Sequence, residues 1–469
     1  MPDVETDLRQ DEAGIRASIL DAVGNTPLLR LPRGFDPEVR CEVLLKLEYV
    51  EPGGSVKDRI ALHMVREARR KGLLAPGGRI VECSSGNTGA GLALVAAALG
   101  HPITVVIPDK MSTEKIATLE ALGAEVVVTP ANVPIEDPRH YTKVAERLAA
   151  ECGGWWPNQY HNPDNAEAHY LSTGPEIWEQ CGGRLDVFVA GAGTGGTLTG
   201  IGRFLKEKDP SVQVVGVDPP GSVLHDWYHR RELVEPHPYA VEGVGEEEIP
   251  AAWDPDVADD YLQVPDGESF RTARRLAAEC GVFAGGSSGM NLAAALRVAR
   301  GLPEDARVVT LLPDSGRAYL SKVYSEDWMR DQGYLPRVSA AAATVGDLLR
   351  RRERAQVQPD ETLAWAVRQA GERGVRPLPV VDTAGALLGV LDEAAALDAL
   401  ADGRDLEALR VADFVAPAPP VLEPSRPWLR LREALAEHPA VLVALDDGYV
   451  PFDRRDLLRS LGRLDHQAR

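Results

Sequence analysis

The sequence predicts an α/β protein with doubly wound, mostly parallel sheets, followed by a smaller α+β region at its C-terminal end. Three observations carry this. From Val43 to about Asp314, runs of branched apolar residues alternate with amphipathic segments, the pattern of a parallel sheet covered by helices on both faces. Three of the β runs end in polar or glycine-rich turns, and ligands of such sheets sit at the carboxyl ends of the strands. After Trp328 the chain becomes rich in Ala, Leu and Arg and contains a weak internal repeat.

Residues 1–22 read as an arm, and the ordered part begins near Gly24-Asn25-Thr26-Pro27. The β runs are Glu42 to Leu47, Arg79 to Cys83, Thr104 to Ile107, Glu125 to Thr129, Asp186 to Ala190, Val212 to Asp218 and Arg307 to Leu312. Between them, 60–70, 88–99 and 112–122 have helical spacing. Residues 23–335 therefore read as one catalytic domain, 336–343 as a linker, and 344–402 and 408–466 as the two copies of the repeat. The length of 469 residues agrees with two or three domains at about 150 residues each.

A net charge of −20 argues against nucleic-acid and anionic-membrane partners and leaves small metabolites as ligands. The five cysteines are scattered without a CxxC pair, so neither a disulfide framework nor a metal site is expected, and a reducing cytoplasm fits. The longest apolar stretch, Gly91 to Gly100, is too short to span a bilayer.

Lys57 stands in Gly53-Gly54-Ser55-Val56-Lys57-Asp58-Arg59, at the start of a helix that Ser55 can cap. The positive end of the helix dipole disfavours an ammonium there, which suits a lysine that works as a neutral amine. A solvated surface lysine is the plainer alternative. Ser84-Ser85-Gly86-Asn87-Thr88-Gly89 follows a strand and opens a helix, so its hydroxyls and free N–H groups favour an anion. Gly191-Ala192-Gly193-Thr194-Gly195-Gly196-Thr197 also opens a helix, and its glycines admit phosphate oxygens close to the backbone. With Asp218 beyond it, this turn fits the dinucleotide pattern as well, but that alternative leaves Lys57 and the first turn without a role. Ser315, after the last strand, either caps a helix or offers a hydroxyl to a ring nitrogen.

Gly-Asn-Thr-Pro at 24–27, Ser-Val-Lys-Asp-Arg at 55–59, Ser-Gly-Asn-Thr-Gly at 85–89 and Gly-Thr-Gly-Gly-Thr at 193–197 resemble the fold-type-II pyridoxal phosphate enzymes, in particular the cysteine synthase/cystathionine β-synthase family. The resemblance covers about residues 20–335 and implies sheets in two subdomains. Residues 108–115, Glu242-Gly243-Val244-Gly245 and Leu312-Pro313-Asp314-Ser315 favour the cystathionine β-synthase side, as does the C-terminal repeat, which resembles that family's tandem regulatory CBS modules.

The resemblance implies that Lys57 holds the cofactor covalently and serves as the acid–base group. Asn87 would bond the ring hydroxyl, Gly193, Thr194, Gly195, Gly196 and Thr197 the phosphate, and Ser315 the pyridine nitrogen. Ser84, Ser85, Gly86, Thr88 and Gln159 would bind the substrate carboxylate, with Gly243 and Gly245 lining the substrate site. The activity implied is condensation of L-serine with L-homocysteine to L-cystathionine and water. Cysteine synthesis from O-acetylserine or O-phosphoserine and sulfide is the nearest alternative, and a nucleotide sensor with an inactive catalytic half a remote one. A homodimer or larger homo-oligomer is implied.

The first histidine is His63 and the first cysteine Cys41, so no N-terminal haem-ligating arm is expected. Glu246 stands after Gly245, where some relatives carry an aromatic residue. Cys83 reads as a packed strand-end thiol. In the repeat, Asp456 matches the acidic residue that holds an adenosyl ribose in such modules, but Asp453 stands where a hydroxyl is expected. The first copy has Asp392 and Ala395 at the matching places. S-adenosylmethionine is the effector to test, and a purely structural or dimerising role is the alternative.

Overall fold

Apart from one antiparallel edge strand, the strand pairings of the catalytic part are parallel. The computed structural model describes residues 15–84, 86–109, 113–130, 133–134, 136–336, 338–340, 342–349, 356–374, 376–460 and 464–465, and contacts divide the chain into units Met1–Ser325 and Glu326–Arg469. In the first unit the strands are β1 (Leu28–Arg30), β2 (Glu42–Leu47), β3 (Ile80–Cys83), β4 (Ile103–Pro108), β5 (Glu125–Thr129), β6 (Val187–Gly191), β7 (Gln213–Asp218), β8 (Asp260–Gln263) and β9 (Arg307–Leu312). They form two sheets, β3-β4-β5 and β1-β2-β9-β6-β7-β8, and only the β1–β2 pairing is antiparallel. Val189 on β6 pairs with Thr310 on one side and Val215 on the other, so residues 187–189 lie central and buried.

Strands β1 and β8 were not legible as β runs. Leu-Leu-Arg is only three residues, and Asp-Tyr-Leu-Gln has two polar ends, so neither shows a period. Both are sheet edges, where exposure permits such sequences.

The helices are α1 (Lys57–Arg70), α2 (Asn87–Leu99), α3 (Thr113–Ala121), α4 (Tyr141–Cys152), α5 (Asp164–Leu171), α6 (Thr173–Gln180), α7 (Gly196–Lys208), α8 (Leu224–Arg230), α9 (Asp266–Cys280) and α10 (Gly286–Ala299). Helix α1 buries Ile60, Ala61, Met64, Val65 and Ala68 on one face and exposes Arg66 and Arg70. Helix α2 is apolar almost all round and is correspondingly enclosed. A Cβ at Gly91 would lie 3.0 Å from the Lys57 carbonyl oxygen, so α1 and α2 cross closely where the lysine begins its helix. One core gathers α1, α2, β3 and β4, and a second lies between α7 and strands β2, β6, β7 and β9. Order begins earlier than the sequence suggests: Ile19–Ala22 is a 3-10 turn closed by a Ser18–Asp21 capping box, and Leu20 packs into the first core.

In the second unit, the segment read as a linker contains β10 (Val338–Ser339), which pairs in parallel with a C-terminal strand at Leu464–Asp465. Two three-stranded sheets follow, residues 379–381, 387–391 and 415–416 in one and 421–422, 440–445 and 448–453 in the other. The openings of the repeat copies are exchanged. Val345 and Leu348, which start the first copy, pack with Leu431, Val441 and Phe452 of the second. Val411 and Phe414, which start the second, pack with Val357, Leu363 and Val380 of the first.

Candidate active site

The sheets bring the predicted turns together, and direct hydrogen bonds join them. Thr88 Oγ1 donates to Gln159 Oε1 at 2.6 Å, Asn165 Nδ2 donates to the Gln159 carbonyl at 2.7 Å, and the same Asn165 amide reaches Thr194 Oγ1 at 2.9 Å. This chain runs from the turn after β3 to the turn after β6. Asn87 Nδ2 donates to Asp314 Oδ2 at 2.9 Å, tying the start of α2 to the end of β9. The Val56 N–H donates to the Pro313 carbonyl at 2.8 Å and the Ser315 N–H to the Gly54 carbonyl at 3.2 Å, which closes the ring at Lys57.

Lys57 is the first residue of α1, and its N–H donates to Ser55 Oγ at 3.3 Å. Among the described residues its ammonium has no ion-pair partner. Burial pulls the amine below the ordinary lysine range, with Glu246 and Asp314 opposing that shift.

A buried ion cluster fixes this lysine in place. Arg59 donates to Glu48 through Nε at 2.6 Å and through NH2 at 2.9 Å, and to both oxygens of Glu176 at 2.7 Å. Thr26 Oγ1 donates to Glu48 Oε1 at 2.7 Å, and the N–H groups of Gly24 and Asn25 donate to Glu51 and Glu176, both at 2.9 Å. Lys46 Nζ bonds Glu176 at 2.7 Å. Burial alone would raise Glu176, yet Arg59 and Lys46 hold it down to about 2. Glu51 is pushed up to about 8 by burial despite Arg59 2.9 Å away, so three acidic side chains share two cations. The Gly-Asn-Thr-Pro motif thus braces the Ser-Val-Lys-Asp-Arg motif.

In the turn after β6, Gly195 is the N-cap of α7 with φ +84°, and a Cβ there would lie 2.2 Å from Trp253 Cβ. Cβ atoms at Gly193 and Gly196 would lie 2.7 Å from the Gly243 carbonyl oxygen and 2.1 Å from Asn165 Oδ1. Only glycine fits these positions, and the first-turn N–H groups of α7 lack intrahelical acceptors. Thr197 Oγ1 is 3.1 Å from His169 Nε2. The Gly245 N–H donates to the Ala192 carbonyl at 2.8 Å, which sets the 243–245 loop against the same turn.

In the turn after β3, Ser84 is buried and its Oγ accepts from the Gly86 and Gly89 N–H groups at 3.2 and 3.0 Å, so it caps α2. Ser85 lies outside the described residues. Ser315 caps the 3-10 turn Gly316–Tyr319, accepting from the Arg317 N–H at 3.3 Å, the more local of its two readings.

Several site residues carried no assignment from sequence. Asp314 Oδ1 is buried without a partner, while Oδ2 accepts from Asn87 and from Tyr319 Oη at 2.6 Å. Its place in Leu-Pro-Asp-Ser was the only signal. Asn165 lies in an unremarkable helix. Lys115 bonds Glu242 and lies 3.3 Å from a Cβ position at Gly86, and Glu242 Oε1 accepts from Lys322 at 2.6 Å. Asp218, which a dinucleotide ribose would need free, is buried and accepts from the His225 N–H at 3.0 Å.

In the second unit Asp456 Oδ2 accepts from the Asp453 N–H at 3.0 Å and the Asp456 N–H donates to Asp453 Oδ1 at 2.8 Å. The pair is a reciprocal helix cap. Asp392 likewise caps, accepting from the Ala395 N–H at 3.0 Å. No helix among the described residues is long and apolar enough to cross a membrane.

A lysine opening a helix, with a glycine-lined helix N-terminus and a hydroxyl-rich turn linked to it through hydrogen bonds, is the kind of arrangement a pyridoxal phosphate site needs, and the chain belongs to the family of pyridoxal-phosphate dependent enzymes, which matches residues 19–314. Pyridoxal phosphate is its cofactor. The chain is 46% identical over 333 residues to the cystathionine beta-synthase of Apis mellifera, covering 69% of this chain and 64% of that one, so it spans less than two thirds of that relative. It is 42% identical over 401 residues to the cystathionine beta-synthase of Mus musculus, covering 83% of this chain and 71% of that one. Among solved structures, the O-acetylserine dependent cystathionine beta-synthase from Helicobacter pylori matches with a TM-score of 0.61 at 38% identity, covering 66% of this chain and 98% of that chain.

The residues present fit the cofactor. The amine without a partner suits a covalent link, the Gly193–Thr197 turn suits a phosphate, and the unpartnered Asp314 Oδ1 beside Asn87 shows polar capacity left over for a ligand.

Proposed function

We propose that the protein catalyses pyridoxal phosphate-dependent β-replacement, joining L-serine and L-homocysteine to give L-cystathionine and water. The observation that supports the reading is the bonded chain Thr88–Gln159–Asn165–Thr194, which ties the turn after β3, where the substrate carboxylate would bind, to the turn after β6, where the phosphate would bind. Bound pyridoxal phosphate supplies an electron sink for the carbon next to the substrate amine.

The chain's own residues do the rest. Lys57 would hold the cofactor through its amine, and Gly193, Thr194, Gly195, Gly196 and Thr197 would hold the phosphate. Asn87 would meet the ring hydroxyl and Ser315 the ring nitrogen. Ser84, Ser85, Gly86 and Thr88 would receive the serine carboxylate, with Gln159 beside them and Gly243 and Gly245 across the site. Lys57, whose amine is held below its usual range, takes the α-proton of serine and returns a proton to the product. The hydroxyl of serine leaves as water, and the thiol of homocysteine takes its place on the β-carbon.

An activated serine with sulfide as nucleophile is the second reading; the name of the Helicobacter pylori neighbour supports its activated serine alone, since that protein is a cystathionine beta-synthase. Identifying products by mass spectrometry decides between them. Serine with homocysteine giving cystathionine supports the first. Turnover confined to O-acetylserine or O-phosphoserine with sulfide supports the second.

We read residues 344–402 and 408–466 as paired CBS modules on a homodimeric or larger cytoplasmic enzyme. Asp456 would be their adenosyl contact, which requires it to leave its cap or serve both roles. S-adenosylmethionine that gives neither heat of binding nor a melting shift refutes the sensing role.

A further inference from the structure

A cavity of about 710 Å³ lies against the candidate site. Its wall includes Cys83, Tyr160 and Glu246, and each is one residue away from a proposed substrate contact, Ser84, Gln159 and Gly245 respectively. The cavity therefore borders the same three segments that carry the proposed substrate contacts. Its lining is acidic: Glu136, Glu247 and Glu248 join Glu246, while Lys143 on the wall is 3.8 Å from Glu146.

We propose that Glu246 determines specificity for the second substrate by receiving its ammonium group, so that this cavity selects a thiol carried by an amine-bearing chain over a simple thiol. The inference rests on the β-replacement reading above and names the nucleophile class of the same site.

The backbone of Glu246 is pinned on both sides. Its N–H donates to Ser222 Oγ at 2.9 Å and its carbonyl accepts from the Val223 N–H at 3.0 Å. Its Oε1 is 3.6 Å from a Cβ position at Gly193, so the carboxyl reaches the edge of the phosphate turn. The charged and titratable groups facing it are Lys57 of α1, Asp218 of β7, Tyr141 of α4, Tyr160, Tyr239, and its neighbours Glu247 and Glu248. Burial pushes Glu246 up to about 8, with Lys57 opposing. A cation placed against it favours the ionised form, so selection for an ammonium strengthens as pH rises toward that value and weakens below it. An aromatic residue at this position would offer no formal charge to an ammonium.

The test compares L-homocysteine with 4-mercaptobutyrate, the same thiol chain without its amine, as partners for L-serine in the holoenzyme. In Glu246→Gln the ratio of kcat/KM for the two thiols falls roughly tenfold to a hundredfold, mostly through KM for homocysteine, as expected for loss of a charged hydrogen bond. Glu246→Asp recovers part of the ratio. In the wild type the ratio climbs between pH 6.5 and 8 more steeply than in Glu246→Gln; the two substrates' own thiol and amine ionisations are common to both enzymes, so the difference between the profiles isolates the carboxyl. A ratio that stays within about twofold of the wild type in Glu246→Gln overturns the inference alone. A wild type that makes cysteine from sulfide but no thioether from either thiol overturns both the inference and the cystathionine reading.

Discussion

Arg59→Met removes the centre of the cluster that braces Lys57. In the wild type Arg59 satisfies both oxygens of Glu48 and both of Glu176, with Glu51 a further contact at 2.9 Å. Methionine fills a similar volume, so the loss is chiefly electrostatic. Glu48 is left with no side-chain exposure and only Thr26 as donor, whereas Glu176 keeps Lys46. Breaking a buried pair from one side costs about 3–5 kcal/mol. With roughly 2.1 cal/mol/K per residue over the unit Met1–Ser325, that is a fall in melting temperature of about 4–7 °C. The sign with pH follows from Glu176. A carboxyl held at about 2 stabilises the fold above its unfolded value near ~4.3, so the wild type draws on it at neutral pH. In the variant Glu176 keeps only Lys46, so part of that contribution is lost at any pH above ~4.3, and the deficit shrinks only as pH falls toward about 2. Scanning calorimetry at pH 7.5 and pH 5.0 checks this. A fall below about 1 °C at both pH values refutes the account of the cluster as a brace of paired charges.

Gly195→Ala forces a Cβ to within 2.2 Å of Trp253 at φ +84°, so the holoenzyme should bind pyridoxal phosphate at least about tenfold more weakly in a visible absorbance titration. Lys57→Ala should lose the cofactor on gel filtration and slow exchange of the serine α-proton by about a hundredfold to ten-thousandfold, read by deuterium incorporation; unchanged exchange removes the lysine from the proton transfer. Asp456→Ala breaks the reciprocal cap with Asp453 and should destabilise the second unit by about 1 kcal/mol, seen as an earlier melting transition. If that variant melts with the wild type, the cap is not what holds this carboxylate.

The helices and central strands were legible because their periods are set by burial alone. Residues 42–47 and 307–312 are near-continuous apolar runs, and the register places them side by side in the middle of a parallel sheet. The site was legible at its turns, since glycines and hydroxyls at strand ends have few other uses. The acidic partners escaped notice because nothing local marks them. Glu48, Glu51 and Glu176 look like solvated carboxylates in the sequence, and only folding brings them onto Arg59. Asn165 is an ordinary helix residue until it is found bonded to Gln159 and Thr194.

By itself the sequence determined the alternating α/β order, the lysine at a helix start and the glycine-rich turn, because each depends on short-range periodicity or backbone sterics. Tertiary structure alone decided which strands go to each of the two sheets, that Ser84 and Ser315 cap turns, that Glu246 lines an acidic cavity, and that the repeat copies exchange their opening segments. Those outcomes depend on contacts between residues far apart in the chain, whose energies come from burial and charge pairing that no local pattern encodes.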